Sequence, residues 1–223
     1  MKLKEKLQSY LKDYKVYFSS RIEDNERAFK NINKLLKFLG EKEILSGSRL
    51  LDLGSGDKSF YKVCLRYGIN VEEIDGASEE IDFEKDKLPY NDNTFDYVFF
   101  CAVIEHLYDA NLILQEIFRV LKKNGILIII TPNFSLCYRE FYNDPTHVKP
   151  YTPTSLKKIL EMNQFRNNII NPFLINKSVI YWKMPYKFFI GSLLPFRNDS
   201  FLRFPIPKFL RGKSTSMISV SKK

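Results

Sequence analysis

The sequence contains few of the residues that build disulfide frameworks or zinc sites. Its three cysteines, Cys64, Cys101 and Cys137, are odd in number and widely spaced, and no CxxC motif occurs. This pattern argues against both kinds of structure and is typical of proteins that stay in the reducing cytoplasm. Only two histidines are present, so the candidates for imidazole chemistry are few.

Long apolar segments are also missing. The first residues, MKLKEKLQSYLKDYK, alternate charges with Leu and Tyr and contain no apolar core of a signal peptide. No apolar run approaches the roughly 20 residues that a membrane span needs. We therefore expect a soluble or peripheral protein of the cytoplasm. The length of 223 residues favours one domain with appendages, and 44% hydrophobic residues suffice for a sizeable core.

The net charge of +9, from 35 basic and 26 acidic residues, leaves two explanations open. A basic surface suits anionic partners such as nucleic acid, anionic lipid or phosphorylated substrates. The sequence is also rich in Lys, Asn and Ile, which a biased genome produces without functional meaning.

The apolar pattern predicts an α/β fold. Residues 1–40 show apolar positions at three- and four-residue steps, which indicates an N-terminal helical cap that ends at Gly40. Beyond Ser48, short apolar runs alternate with helical stretches, which favours a parallel sheet covered on both faces. The predicted strands are 49–53, 70–74, 80–83, 95–101, 126–131, 169–175 and 214–220, and the predicted helices are 58–67, 110–122 and 154–163. We expect the last strand to pack on the sheet edge.

The segment RLLDLGSGDKSF reads as a strand that ends in a Gly-rich turn and opens a helix. Gly54 and Gly56 can adopt backbone angles closed to other residues, and without a Cβ they let a ligand lie against the main chain. Asp75, at the end of the second strand, can accept both hydroxyls of a ribose. The segment therefore predicts a nucleotide-cofactor site.

Two positions in this segment indicate which cofactor. Ser59 stands where the dinucleotide fingerprint has its third glycine, and Asp57 would repel a pyrophosphate. An acidic residue there is better suited to a cofactor with no phosphate and a positive sulfonium.

Three segments, in order, resemble the motifs of the class I S-adenosylmethionine-dependent methyltransferases. They are LLDLGSGDKSF, IDFEKDKLPYNDNTFDYVFFCAVIEHL and LKKNGILIIITPN, and the resemblance covers about residues 45–165. It implies a seven-stranded, mostly parallel, Rossmann-like sheet with a reversed last strand, and S-adenosyl-L-methionine as the cofactor. The methyltransferase domain would span 41–223, with an aromatic and basic insertion at about 176–212 before the last strand.

The resemblance also implies a set of cofactor-binding residues. They are Asp52, Gly54, Ser55, Gly56, Asp75, Asp82, Phe83, Cys101 and Ala102. Asp75 would take the ribose hydroxyls and Asp82 the adenine amino group, with Phe83 beside it. Glu84 and Asp86 are close alternatives to Asp82.

The two histidines are the candidates for acceptor chemistry. A hydroxyl acceptor benefits from a general base, and His147, in FYNDPTHVKPYTP, has Asp144 three residues earlier to orient its ring. A role for His147 in pinning its loop is an equal alternative. His106, which follows Glu105 in VIEHL, is a second catalytic candidate that could instead shape the pocket. Asp144, His147 and Glu105 could also bind a divalent metal, but they share no repeated spacing, so we expect no metal site.

Residues 177–211 mix aromatic and basic side chains. Such a mixture suits a peripheral membrane contact, and less well single-stranded nucleic acid. A lid over the acceptor pocket or a dimer surface is the stronger interpretation, and the oligomeric state stays open.

The leading hypothesis is O-methylation of a small molecule or of a glycan, possibly lipid-linked. The segment DPTHVKPYTP supports it, because it resembles a segment of methyltransferases from glycan and lipid-linked sugar pathways. An RNA or protein methyltransferase is the alternative enzyme, weakened because AVIEHL stands where an NPPY-type amine motif would lie. A non-catalytic scaffold is the alternative from another class, and the intact acidic and glycine positions argue against it.

Overall fold

The structure of the chain, a computed structural model, describes residues 22–76, 81–173, 180–183 and 215–223. The helices are α1 (Ile22–Phe38), α2 (Ser59–Arg66), α3 (Asn111–Val120), α4 (Phe134–Cys137), α5 (Pro153–Met162) and α6 (Ile180–Lys183), with short 3-10 helices at Ile104–His106 and Phe141–Asn143. The strands are β1 (Arg49–Leu53), β2 (Asn70–Ile74), β3 (Phe95–Cys101), β4 (Leu121–Pro132), β5 (Arg166–Pro172) and β6 (Ser216–Lys222).

The strands form one sheet in the order β2-β1-β3-β4-β6-β5. Strands β2, β1, β3 and β4 pair in parallel, and β6 pairs antiparallel with both β4 and β5. The mostly parallel sheet with a reversed last strand is thus confirmed. The sheet has six strands among the described residues, where seven were predicted.

The predicted strand at 80–83 is wrong over its described part, residues 81–83. The carbonyl of Asp82 accepts hydrogen bonds from the amides of Lys85 and Asp86, at 3.0 and 2.8 Å. Its carboxylate accepts a further bond from the Glu84 amide. Local bonds of this kind compete with strand pairing, and here they produce a turn.

The prediction that the last strand lies on the sheet edge is also wrong, because β6 is inserted between β4 and β5. Met217, Ile218 and Val220 are buried, so both faces of this strand are covered. A strand with apolar residues on both faces is typical of the sheet interior.

Two apolar layers cover the sheet. Helices α3 and α5 pack on one face, and α1 and α2 pack on the other. Helix α1 belongs to the predicted N-terminal cap, and its Phe29 ring packs against Phe60 and Tyr67 of the α2 region. The part of the cap before residue 22 lies outside the described residues. Trp182, predicted within the aromatic and basic insertion, is buried with its ring 6.0 Å from that of Phe38.

Truncating Phe99 tests the layer beneath α1 and α2. Its ring is fully buried and stacks on Phe60 with centroids 3.9 Å apart. We expect Phe99→Ala to lower the free energy of unfolding by about 3–5 kcal/mol, because the lost contacts leave a cavity. Leu65→Ala, on the exposed side of α2, should stay within about 0.5 kcal/mol of wild type. Urea denaturation measures both, and equal losses in the two variants would contradict the assigned core.

Candidate active site

The Gly-rich turn that follows β1 is held against its neighbours by close backbone contacts. Gly54 has φ +82° and Gly56 has φ +52°, in the left-handed region that favours glycine. The Gly54 amide donates to the carbonyl of Ile74, at the end of β2, at 2.6 Å. A Cβ on Gly54 would lie only 2.2 Å from Cγ2 of Val103, so this position needs glycine for space as well as for conformation.

Four carboxylates surround this turn. Asp52 is 2% exposed, and its Oδ2 accepts no hydrogen bond from the residues that the structure describes. Burial raises the pKa of Asp52 to about 8, and the negative charges of Glu73, Asp75 and Asp57 contribute to that rise. Carboxylates that are ionised at this turn would repel a pyrophosphate and attract a cation.

Glu73 organises the turn from β2, a role that the sequence interpretation missed. Ser55 Oγ and Lys58 Nζ both donate hydrogen bonds to its carboxylate. Burial opposes ionisation, but these two bonds hold the pKa of Glu73 below its usual value. The side chain of Ser55 therefore connects the turn to β2 through its hydrogen bond to Glu73. The signal in the sequence was the acidic pair EE just before Ile74 and Asp75.

Asp82 and Phe83 lie a few residues beyond the end of β2. Phe83 is buried beside the backbone of Gly76, where an added Cβ would lie 3.0 Å from the Phe83 ring. Asp82 is partly exposed, and Lys85 Nζ donates to it at 2.6 Å. This hydrogen bond, together with one from the Glu84 amide, lowers the pKa of Asp82. The structure thus brings Phe83 beside the end of β2 and gives Asp82 a local partner.

The end of β3 connects the region beside the Gly-rich turn to the segment that carries His106. The thiol of Cys101 is half-buried, and burial raises its pKa, as do the charges of Glu105 and Asp52. Ala102 has φ +52°, and its amide donates to the Ile130 carbonyl at 2.8 Å. The chain then leaves the sheet as the 3-10 helix Ile104–His106.

Two backbone hydrogen bonds bring the histidine loops together. The amides of Val148 and Lys149 both donate to the carbonyl of Glu105, at 3.0 Å each. His147 precedes this pair and His106 follows Glu105, so the two rings lie side by side with centroids 4.9 Å apart. The two predicted catalytic histidines are therefore neighbours in the structure.

Each ring has its hydrogen-bond partners at Nδ1, and no hydrogen bond reaches Nε2 of either ring from the described residues. Nδ1 of His147 lies 2.7 Å from the carbonyl of Phe141, and because a carbonyl can only accept, Nδ1 carries the hydrogen. Nδ1 of His106 lies 3.2 Å from the carbonyl of Thr146 and 2.9 Å from its hydroxyl, which itself donates to Asp144. Nε2 of each neutral ring is thus an acceptor. Burial lowers the pKa of His106, which favours its neutral form.

Asp144 supports this arrangement mainly through Thr146. Its Oδ1 accepts hydrogen bonds from the hydroxyl and the amide of Thr146, at 2.6 and 2.9 Å. Its Oδ2 lies 3.9 Å from Nε2 of His147, too far for a hydrogen bond. Asp144 thus contacts His147 only loosely and holds His106 through a threonine.

Glu105 is a deeply buried carboxyl group of this region. It is 1% exposed, its Oε2 accepts from Thr131 Oγ1 at 2.9 Å, and its Oε1 has no hydrogen-bond partner among the described residues. Burial raises the pKa of Glu105 to about 7. No lysine or arginine of the described ranges pairs with this carboxyl group, although a buried charge is normally paired.

A family model described as "Methyltransferase domain" matches residues 25–168, which include every site residue named above. The chain belongs to the class I S-adenosylmethionine-dependent methyltransferase family. The sequence resemblance is therefore confirmed, and the protein is an S-adenosylmethionine-dependent methyltransferase.

Relatives of this methyltransferase differ in how much of their length it spans. An uncharacterized protein of Methanocaldococcus jannaschii is 30% identical over 71% of this chain and 77% of its own length. The ubiquinone biosynthesis O-methyltransferase of Pelagibacter ubique is 29% identical over 48% of this chain and 51% of its own length. The mitochondrial enzyme of that name from Bos taurus is 29% identical over 62% of this chain and 46% of its own length.

Solved methyltransferase structures share the fold. An S-adenosylmethionine-dependent methyltransferase of Archaeoglobus fulgidus superposes with a TM-score of 0.54 at 21% identity, over 87% of this chain and 94% of that one. One from Aquifex aeolicus has a TM-score of 0.56 at 17% identity, over 96% and 97% of the two chains. Across the described ranges, no helix of this methyltransferase is both long and apolar enough to cross a membrane.

Alanine at Gly54 tests the contact between the turn and Val103. Gly47 has φ +86° with nothing within 4 Å of an added Cβ, so Gly47→Ala is a control for backbone strain alone. We expect Gly47→Ala to cost about 1–2 kcal/mol of unfolding free energy, and Gly54→Ala to cost about 1–3 kcal/mol more because of overpacking. Thermal unfolding measures the difference. Equal costs would contradict the close approach of Val103.

Proposed function

We propose that this methyltransferase transfers the methyl group of S-adenosylmethionine to a hydroxyl of a small molecule or glycan. The observation that carries the proposal is that Nε2 of His106 and Nε2 of His147 have no hydrogen-bond partner among the described residues. The two histidines lie on loops that follow β3 and β4, and Val103, in the loop after β3, packs against Gly54 of the Gly-rich turn. A buried group that can accept a proton is what a hydroxyl acceptor needs, whereas an amine acceptor depends less on one.

In this proposal the cofactor lies over the Gly-rich turn. Asp52, Gly54 and Gly56 line its methionine end, Ser55 braces the turn, and Asp75 takes the ribose hydroxyls. The fit is supported by the acidic surroundings of the turn, because the missing partner of Asp52 Oδ2 would be supplied by a cationic ligand.

The adenine and methyl ends of the cofactor complete the assignment. Phe83 flanks the adenine and Asp82 accepts its amino group, for which Asp82 would exchange its bond to Lys85. Cys101 and Ala102 face the methionine moiety at the end of β3.

When bound, S-adenosylmethionine supplies a methyl group on a positively charged sulfur. The protein's residues then position the acceptor oxygen in line with that carbon and exclude water. The hydroxyl proton of the acceptor would pass to Nε2 of His106 or of His147. Phe141 and Thr146 keep each Nδ1 protonated, so that each Nε2 is free to accept. Asp144 is a positioning residue, because it acts through Thr146.

Exposed tyrosines on the same loops suit the proposed acceptors. Tyr108, two residues after His106, is 73% exposed, and Tyr142, next to Phe141, is 59% exposed. Ring faces with a polar edge can pack on a sugar or on an aromatic small molecule. The likeness to ubiquinone biosynthesis O-methyltransferases also supports a hydroxyl acceptor. A peripheral membrane contact through 177–211 remains a proposal, since most of that segment lies outside the described residues.

Asparagine at Asp52 tests cofactor binding through its pH dependence. The ionised carboxylate attracts the cationic cofactor, so wild-type affinity relative to Asp52→Asn should rise as pH increases, by up to about tenfold per unit below about 8. The free energy of unfolding without ligand should change in the opposite direction: the contribution of Asp52 to it should fall as pH increases. Because the pKa is raised in the folded chain, the folded state binds the proton more tightly, and this contribution is present below about 4 and lost as pH rises to about 8. Calorimetric titration and urea denaturation at several pH values measure both.

The titration of the cofactor's own amino group cancels in the ratio of wild type to variant. An affinity ratio that is independent of pH would contradict the assigned role of Asp52.

Methyl transfer to a panel of hydroxyl acceptors tests the function itself. We expect methylated product, detected by mass spectrometry, from a sugar, a lipid-linked sugar or a phenol. His147→Asn, which keeps a donor for the Phe141 carbonyl, should lower kcat by about 10²- to 10⁴-fold with S-adenosylmethionine affinity unchanged. Glu140→Gln, an exposed change in the same loop, should leave kcat as it is. Product only from amines, RNA or protein would overturn the proposal.

A further inference from the structure

Glu105, His106 and His147 each offer one possible ligand atom, and these three atoms lie within 4.8 Å of one another. We propose that these residues form a binding site for a divalent cation, with one carboxylate oxygen and two imidazole nitrogens as ligands. The expectation from sequence was that no metal site exists, because the candidate ligands Asp144, His147 and Glu105 share no repeated spacing. The fold brings a different set together.

Both imidazoles already have the form that a metal ligand requires. A metal-binding histidine donates its second ring N–H to a carbonyl or another acceptor, which fixes the tautomer and the ring orientation. Here Nδ1 of His147 donates to Phe141, and Nδ1 of His106 donates to Thr146. Thr146 is in turn bonded to Asp144, so the ring of His106 is held by a carboxylate at one remove. The two Nε2 lone pairs are left for a ligand.

Glu105 supplies the independent indication of a cation. Its side chain is buried, and its Oε1 has no hydrogen-bond partner in the part of the chain that the structure describes. No Lys or Arg of the described ranges forms an ion pair with it. A buried carboxylate without a counter-charge is costly, and a bound cation would remove that cost. Thr131 holds the other oxygen and so orients the carboxylate.

The dimensions fit a first-row transition-metal ion. Metal–nitrogen and metal–oxygen bonds of about 2.0–2.2 Å require the ligand atoms to approach by less than about 1 Å from their present positions. Two imidazoles and one carboxylate suit Zn²⁺, Fe²⁺, Co²⁺ or Mn²⁺ better than Ca²⁺, which prefers oxygen ligands. Three protein ligands leave coordination positions open. A hydroxyl that occupies one of them loses its proton more readily.

This inference rests on the proposed function in one respect only: that function identifies the acceptor hydroxyl as the group that would occupy an open coordination position of the metal. With the ion bound, the Nε2 atoms of His106 and His147 would hold the metal and would not be available to accept a proton. Without it, the same Nε2 atoms accept the proton themselves. One lone pair cannot serve both purposes at once, so experiment can separate the two roles.

Cobalt titration of the chelator-treated full chain tests the site. We expect about one equivalent of Co²⁺ to bind, with visible absorption of nitrogen and oxygen ligation. Glu105→Gln, which keeps the size of the side chain, and His106→Gln should each weaken Co²⁺ binding at least about tenfold. Glu140→Gln should bind as wild type does. Circular dichroism and S-adenosylmethionine titration on the same samples verify that each variant is folded.

Three results would overturn the cation site. They are the absence of Co²⁺ binding to folded wild-type protein, binding that Glu105→Gln and His106→Gln leave unchanged, and a cobalt–thiolate absorption band, which would place the ion on a cysteine.

The outcome for the cation site is independent of that for the acceptor. Folded protein that methylates a hydroxyl but binds no Co²⁺ would defeat the cation site and keep the proposed function. Protein that binds Co²⁺ through Glu105 but methylates no hydroxyl would support the cation site and defeat the proposed function.

Discussion

The parallel pairing of β1, β3 and β4 is the constraint on which both halves of the site depend. Because Leu53 lies beside Phe100 and Cys101 beside Ile130, the three strands reach the same edge of the sheet together. Functional groups of open α/β sheets gather at this carboxyl edge, where each chain turns away from the sheet. The Gly-rich turn, the 3-10 helix and the histidine loop all start there.

Two buried carboxylates, Asp52 and Glu105, give this edge its electrostatic character. Each has an oxygen without a hydrogen-bond partner in the described residues, and burial raises the pKa of each, to about 8 and about 7. Burial raises the pKa of the Cys101 thiol, and the charges of Glu105 and Asp52 raise it further. An edge built in this way is destabilised when both groups ionise, and cationic ligands would relieve that cost.

Packing joins the two halves as closely as charge does. Val103 lies against Gly54, and only two residues later Glu105 accepts the hydrogen bonds that hold the His147 loop. A shift of the turn would therefore be transmitted to the histidines through a few covalent bonds. This proximity suits a reaction in which a methyl carbon and an acceptor oxygen must meet in line.

Much of the fold could be predicted because it depends on neighbours along the chain. Alternating apolar runs located β1, β2, β3, α2, α3 and α5 within a few residues, and Gly54 and Gly56 identified the turn by conformational need alone. The acidic residues in and around that turn pointed to a cationic cofactor, because their charge can be read directly from the sequence. Features of this kind can be predicted because they depend on residues that are close together in the sequence.

Long-range pairing decided the rest. The sequence pattern could not predict that β6 enters the sheet between β4 and β5, because an apolar strand fits either neighbour or an edge. Nor could it bring His106 to His147, since spacing along the chain does not encode their distance in space. The sequence by itself determined the family, the cofactor turn and the candidate side chains. Only the tertiary structure decided that Glu105, His106 and His147 meet, because two backbone hydrogen bonds to the Glu105 carbonyl close the gap between their loops.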